Sequence, residues 1–433
     1  MPITPVAVDS PEGKKLLKTL YTRGENIDSG CREAVTAIIK EVRERGDHAL
    51  TDYTKKFDCP DMTREDLRVT GAEIDRAVAA CDPGFLQTLR LASDRIRDFH
   101  QEDRQKSWFT TREDGVVTGR LVRPVDAAGL YVPGGQGGST PLVSSVLMNG
   151  LPARIAGVKR LVMMTPAAAD RSVHPALLAA AREVGISEIY KCGSAWAIAA
   201  LAYGTCTIDP VDVIVGPGNR YVTEAKRQVA GVVGIDMIAG PSEVLVVADH
   251  TAVPAAVAAD MLAQAEHDPE ALAMAIVTTH DLADAVAREL KMQVEQLPRQ
   301  EIARKSLAER GVLLVCPDMD QAMEIANRIG AEHLELMVAD PWERLTAVRH
   351  AGAVFLGPHT PEAAGDYIAG PNHVLPTMGT ARFSSSLGVE TFLKKSSVIA
   401  YSRKGLLHDA EHILRLAELE GLTGHANSVR VRT

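Results

Sequence analysis

Residues 120–166 read RLVRPVDAAGLYVPGGQGGSTPLVSSVLMNGLPARIAGVKRLVMMTP, and here the pattern of the chain changes. The run into Tyr131 and Val132 predicts a short strand. A loop carrying Gly134, Gly135, Gly137 and Gly138 follows, then a Ser/Thr-rich helix and the strand LVMMTP. Short apolar strands separated by helices of about a dozen residues indicate a parallel sheet with right-handed crossovers.

The alternation continues downstream through PALLAAAREVGI, EIYKCG, AWAIAALAYG, VDVIVGPGN, YVTEAKRQVAG and IDMIAGPSEVLVVAD. A second stretch, AMAIVTT, DLADAVARELKMQVEQL, GVLLVCPD, MDQAMEIANRIGAEHLELMV and AGAVFLGP, reads as strand, helix, strand, helix and strand. Upstream, residues 1 to about 120 have apolar positions at helical intervals, with helix starts at Asp82-Pro83 and in Thr70-Gly71-Ala72-Glu73. They read as scaffold and subunit interface. The expected class is α/β with two Rossmann-like parallel-sheet domains. Residues 1–25 form an N-terminal segment, and 26–130 join 240–387 in a first α/β domain. Residues 131–239 form a second, and 388–433 a helical tail. The Gly-, Pro- and Ser-rich segment 359–388 is a long loop of the kind that usually carries function.

A chain of 433 residues exceeds one ordinary core, and 46% hydrophobic with 24% charged residues is globular composition. A net charge of −9 without a dense Lys/Arg run excludes nucleic acid and anionic membrane as expected partners. The N-terminus lacks a signal-peptide pattern and no run spans a bilayer, so a cytoplasmic location is expected. Cysteines 31, 59, 81, 192, 206 and 316 form no C-x-x-C pair and read as reduced thiols, Cys192 and Cys206 as buried small hydrophobes.

Candidate chemistry lies in several places. In Asp260–Pro269, DMLAQAEHDP closes an Ala-rich helix. Gln264 and His267, three residues apart, project from one face of its last turn. An amide oxygen and an imidazole aimed at one point make half of a metal site. Glu332-His333 pairs two groups that can titrate near neutrality, or forms a solvated helix end. Asp366 and His373 lie on the Gly-rich loop, where a structural hydrogen-bond network is the other reading. His425 sits in a polar tail. The Gly134–Gly138 loop and Gly216-Pro217-Gly218-Asn219 each lie between strand and helix, where backbone N–H groups can cradle phosphate. Neither matches the dinucleotide or P-loop fingerprint, and both also read as tight turns. Spacing alone does not bring Gln264, His267, Asp366 and His425 together.

The segments GLYVPGG, SSVLMNGLPARIAGV, VDVIVGPGNRYVTEAKRQV, IAGPSEVLVVAD, AQAEHDPEA, AEHLEL, AGDYIAGPNHVLPT and LTGHANSV run in order from about residue 120 to the end. Together they closely resemble the histidinol dehydrogenase family. The resemblance implies a zinc enzyme that oxidises L-histidinol through L-histidinal to L-histidine with two NAD, the last two steps of histidine biosynthesis. It implies zinc ligands Gln264, His267, Asp366 and His425, a base at His333, and Glu332 as the group that handles water. The same residues, with Ser242, His373 and Glu420, would contact substrate, while Tyr131, Trp196 and Asn219 fall at cofactor positions. It also implies an intertwined homodimer in which the C-terminal His serves the other subunit.

Three departures accompany the match. The loop GGQGGSTP is longer than the family's GG-x-x-P type, Trp196 stands where some members place a cofactor-binding Gln, and the loop reads AGPNH rather than SGTNH. A related diol dehydrogenase, a zinc hydrolase and a non-catalytic dimer clamped by zinc are the rival readings.

Overall fold

Runs that are apolar along their whole length, such as LAMAIV and VLVVA, are buried at every position, as strands covered on both faces must be. The computed structural model describes residues 3–24, 29–134 and 141–433. Its strands are, in chain order, β1 Val6–Ala7, β2 Trp108–Thr111, β3 Val117–Pro124, β4 Ala127–Tyr131, β5 Arg160–Thr165, β6 Glu188–Lys191 and β7 Val213–Val215. There follow β8 Gly234–Ile235, β9 Glu243–Ala248, β10 Leu272–Val277, β11 Val312–Val315, β12 His333–Met337, β13 Ala353–Leu356 and β14 Leu393–Ala400.

These form two parallel sheets, in the orders β6-β5-β4-β7-β8 and β1-β11-β10-β9-β12-β13. A third sheet, β14-β3-β2, is antiparallel. The expected α/β architecture with two Rossmann-like sheets is what the chain adopts. No helix among the described residues is long and apolar enough to cross a membrane.

Three features differ from expectation. Residues 26–130 do not join the sheet of residues 243–356. The helices Ser29–Arg45 and Asp47–Phe57 pack on one face of the β4 sheet, Gly71–Ala80 and Pro83–Glu102 on the other. The reason lies in the helix Ser194–Tyr203, which is apolar all round and needs cover on the side away from its sheet. Val35, Ile38, Ile39 and Val42 supply that cover. Only the outset of the chain, β1 and the helix Pro11–Tyr21, belongs to the other sheet.

The second difference is His333–Met337, which is a central strand and not the end of a helix. Gly330, left-handed at φ 57°, ends the preceding helix three residues earlier. The third concerns residues 388–433, which are not wholly helical. β14 pairs with β3 along eight residues before the helices Arg403–Leu419 and Thr423–Arg430. Cys192 is buried as expected, whereas Cys206 is exposed.

Candidate active site

β9 and β12 are adjacent and parallel, with His333 opposite Val244, so their N-terminal ends bring Ser242 and Glu243 beside Glu332 and His333. The backbone of Glu243 holds both neighbours. Its N–H donates to Glu332 Oε2 at 2.8 Å, and its carbonyl accepts from His333 Nδ1 at 3.0 Å. A carbonyl can only accept, so Nδ1 carries the proton and Nε2 carries the lone pair. That Nε2 is buried with no hydrogen-bond partner among the described residues, 3.9 Å from Asp366 Oδ1.

Burial sets the protonation states. Desolvation pushes His333 down to about 4, so the ring is neutral at pH 7. Glu332 is pushed well above the usual carboxyl range by burial, which the Glu243 N–H only partly offsets. Asp366 is raised to about 6, again by burial. Glu362, one helical turn before Asp366 on Glu362–Tyr367, stands 3.9 Å from His333 Nδ1 and is likewise raised by burial. Sequence reasoning missed Glu362; its i, i+4 spacing from Asp366 was the available signal.

The helix Pro254–Ala265 delivers Gln264 fully buried, while His267 stands just past the helix end and not in its last turn. Gln264 Nε2 lies 3.1 Å from His267 Nδ1, and Gln264 Oε1 has no donor among the described residues. His267 is exposed as a residue, yet burial of its imidazole lowers its proton affinity. His373 completes this face: its Nε2 is 3.0 Å from Ser144 Oγ and its ring is lowered to about 4 by burial. Neighbouring Asn372 donates to the Met148 carbonyl at 2.7 Å, so this loop joins the site to the β4 unit.

Ser242, Gln264, His267, Glu332, His333, Asp366 and His373 thus gather at one end of the β9–β12 pair. Glu420 and His425 do not join them: both are exposed on the C-terminal helices, and no described bond links their side chains to the others. Tyr131, Trp196 and Asn219 belong to the unit built on the β4 sheet. β5 and β6 extend that sheet to one side of β4, and β7 and β8 to the other. The carboxyl ends of β4 and β7 therefore flank a topological switch point, the usual ligand crevice of such sheets. Tyr131 ends β4 there and accepts from the Ser194 N–H at 3.0 Å. Asn219 caps the helix Arg220–Val229 through its Oδ1. Trp196 is buried under Tyr53 and Phe57, at ring centroid distances of 5.6 and 5.5 Å, so its ring faces protein. Of the Gly-rich loop, residues 135–140 lie outside the described residues.

The donor set suits a borderline metal. Gln264 offers an orphaned amide oxygen, His267 an imidazole and Asp366 a carboxylate, the N/O mixture that zinc accepts. His333, Glu362 and Asp366 also place one ligand atom each within 4.8 Å of one another.

The family profile described as histidinol dehydrogenase matches residues 21–433. A histidinol dehydrogenase of Desulfotalea psychrophila is 62% identical over 432 residues, covering 100% of both chains. One of Nitratidesulfovibrio vulgaris is 52% identical over 100% of this chain and 99% of its own. The crystal structure of the histidinol dehydrogenase of Elizabethkingia anophelis superposes with a TM-score of 0.91 at 37% identity, covering 96% of this chain and 95% of the other. With both ends of the comparison matched and the fold shared throughout, the chain belongs to the histidinol dehydrogenase family.

Proposed function

We propose that this chain oxidises L-histidinol through L-histidinal to L-histidine, using two NAD and one zinc per subunit, as a cytoplasmic homodimer. One observation supports it above the others. The neutral His333 has its tautomer set by the Glu243 carbonyl and turns towards Asp366 an Nε2 with no hydrogen-bond partner among the described residues.

Gln264, His267 and Asp366 would hold zinc, with His425 of a second copy completing the set. Zinc, when bound, supplies a template for the substrate's nitrogen donors, and NAD supplies the hydride acceptor. His333 Nε2 takes the alcohol proton, and its Nδ1–H bond keeps the ring oriented while it does so. Glu332, whose proton affinity burial raises, takes a proton from water in the second half, when the aldehyde becomes the acid. Ser242, His373 and Glu420 contact substrate alongside the zinc and acid–base residues. Tyr131 and Asn219 at the switch point, with Trp196 beneath, would hold the cofactor.

The tail assignment rests on an uncovered face. Leu416, Leu419, Leu422 and Val431 on and beside the last two helices are 62%, 84%, 42% and 69% exposed. A second copy covers them in this reading, and Glu420 and His425 travel with them.

NADH formed per limiting L-histidinol, with and without a zinc chelator, tests the whole. The expected ratio is two, abolished by chelation and restored by zinc. A ratio of one, or turnover indifferent to chelation, overturns the reading.

A further inference from the structure

Glu243 has a side chain that the chemistry above does not use, and it is only 2% exposed. It is clamped by Arg23, a residue of the opening segment. Arg23 Nε donates to Oε1 at 2.5 Å and Nη2 to Oε2 at 2.7 Å, a bidentate fork. The same guanidinium donates to the carbonyls of Leu20 at 2.7 Å and Ile329 at 3.0 Å. Ile329 ends the helix from which the chain turns directly into Glu332. Arg23 therefore ties together the beginnings of β9 and β12 at the point where the acid–base pair stands.

We infer that Arg23 and Glu243 are positioning residues for Glu332 and His333. One residue, Glu243, orients the carboxylate through its N–H and the imidazole through its carbonyl. A rotation of the peptide that carries the Glu243 carbonyl removes the acceptor for Nδ1–H and frees the ring to place its proton on Nε2, where it is no longer a base. The Arg23 fork prevents the rotation by anchoring the side chain at two atoms. A buried carboxylate stripped of its cation would instead draw the strand towards water or another donor.

The inference rests on Glu332 and His333 being the acid–base pair, and the experiment separates the two. In zinc-loaded full-length protein, Arg23→Met is expected to lower kcat for L-histidinol about 10–100-fold, the usual cost of losing an orienting partner. KM and zinc content should stay within about twofold of the parent. Arg23→Met/Glu243→Gln is expected to recover most of that loss, because a neutral amide no longer needs the cation. Where Arg23→Met fails to fold, Arg23→Lys serves in its place, since one ammonium cannot make the fork. Unchanged kcat in these variants, or no recovery in the double variant, overturns the inference. Wild-type turnover in His333→Asn would instead overturn the acid–base reading itself.

Discussion

Glu332 is the last residue before β12 and His333 the first within it, so the site is built where a parallel strand begins. The division of labour between them is testable. Glu332→Gln is expected to slow oxidation of supplied L-histidinal by about 10²-fold or more, the scale of a lost general base, and oxidation of L-histidinol to histidinal far less. Single-turnover NADH formation from each substrate reads the two steps, and equal losses would exclude the assigned role. A second residue titrates away from this chemistry. Asp58 has a buried Oδ2 with no hydrogen-bond partner among the described residues and is raised to about 6 by burial. Between its ordinary value and 6 the folded chain holds a proton that the unfolded chain has lost. Stability from this group is therefore complete at low pH and lost as pH rises through 6. Asp58→Asn should stabilise the protein by roughly 1–2 kcal/mol at pH 8, allowing for partial exposure, and by almost nothing near pH 4. Urea midpoints at the two pH values decide it. Among these residues, Gln264, His267 and the Glu332-His333 pair stand out in the sequence as residue types that can carry chemistry. Glu243 and Arg23 do not, because their contact spans 220 positions and neither carries a motif.

At the scale of elements, caps were readable and tertiary pairing was not. Asp82 caps its helix through the Phe85 N–H, and Thr70 and Glu73 form a reciprocal capping box, as their spacing indicates. HLELM escaped because its two polar residues, His333 and Glu335, are buried where a strand would ordinarily be apolar. β14, LKKSSVIA, escaped because it has no buried face of its own and is defined by its register with β3. Gly216 shows how narrowly the end of β7 is built. Its φ is +111°, and a Cβ there would stand 2.1 Å from the Tyr131 carbonyl oxygen and 2.7 Å from Asn149 Nδ2. Its own N–H is held by Asp236 at 2.8 Å, and Asp236 is paired with Lys226. Gly216→Ala should cost about 1–3 kcal/mol from backbone strain alone, and it should weaken NAD binding as the crevice opens. Denaturation midpoints and a cofactor titration measure both effects. Tight NAD binding in a destabilised variant would move the cofactor away from this switch point.

For the whole molecule, the division into two parallel-sheet units was legible from alternation, and the allegiance of the N-terminal helices was not. An apolar stripe such as Val35, Ile38, Ile39 and Val42 announces that a helix is covered without naming what covers it. The same limit applies to the C-terminal helices, whose leucines stay exposed among the described residues. Mixing two inactive variants decides their role. His333→Asn carries the lesion in the body and His425→Asn in the tail, so heterodimers with exchanged tails contain one intact site. Co-refolding equal amounts should restore about one quarter of parental activity. No recovery would mean that the tail serves its own chain.

The edge strand β1 carries a consequence for how the molecule is made. Val6 pairs with Leu314, and Arg23 reaches Glu243 and Ile329, so this segment leaves the ribosome well before the partners it needs. At about 5–20 residues per second, that delay is on the order of 15–60 s. During it, the helices of residues 29–102 can already settle on the β4 sheet as it emerges. The leading segment must therefore stay unclaimed while its neighbours fold, and closing it over the β9 sheet is a late event in the birth of the chain.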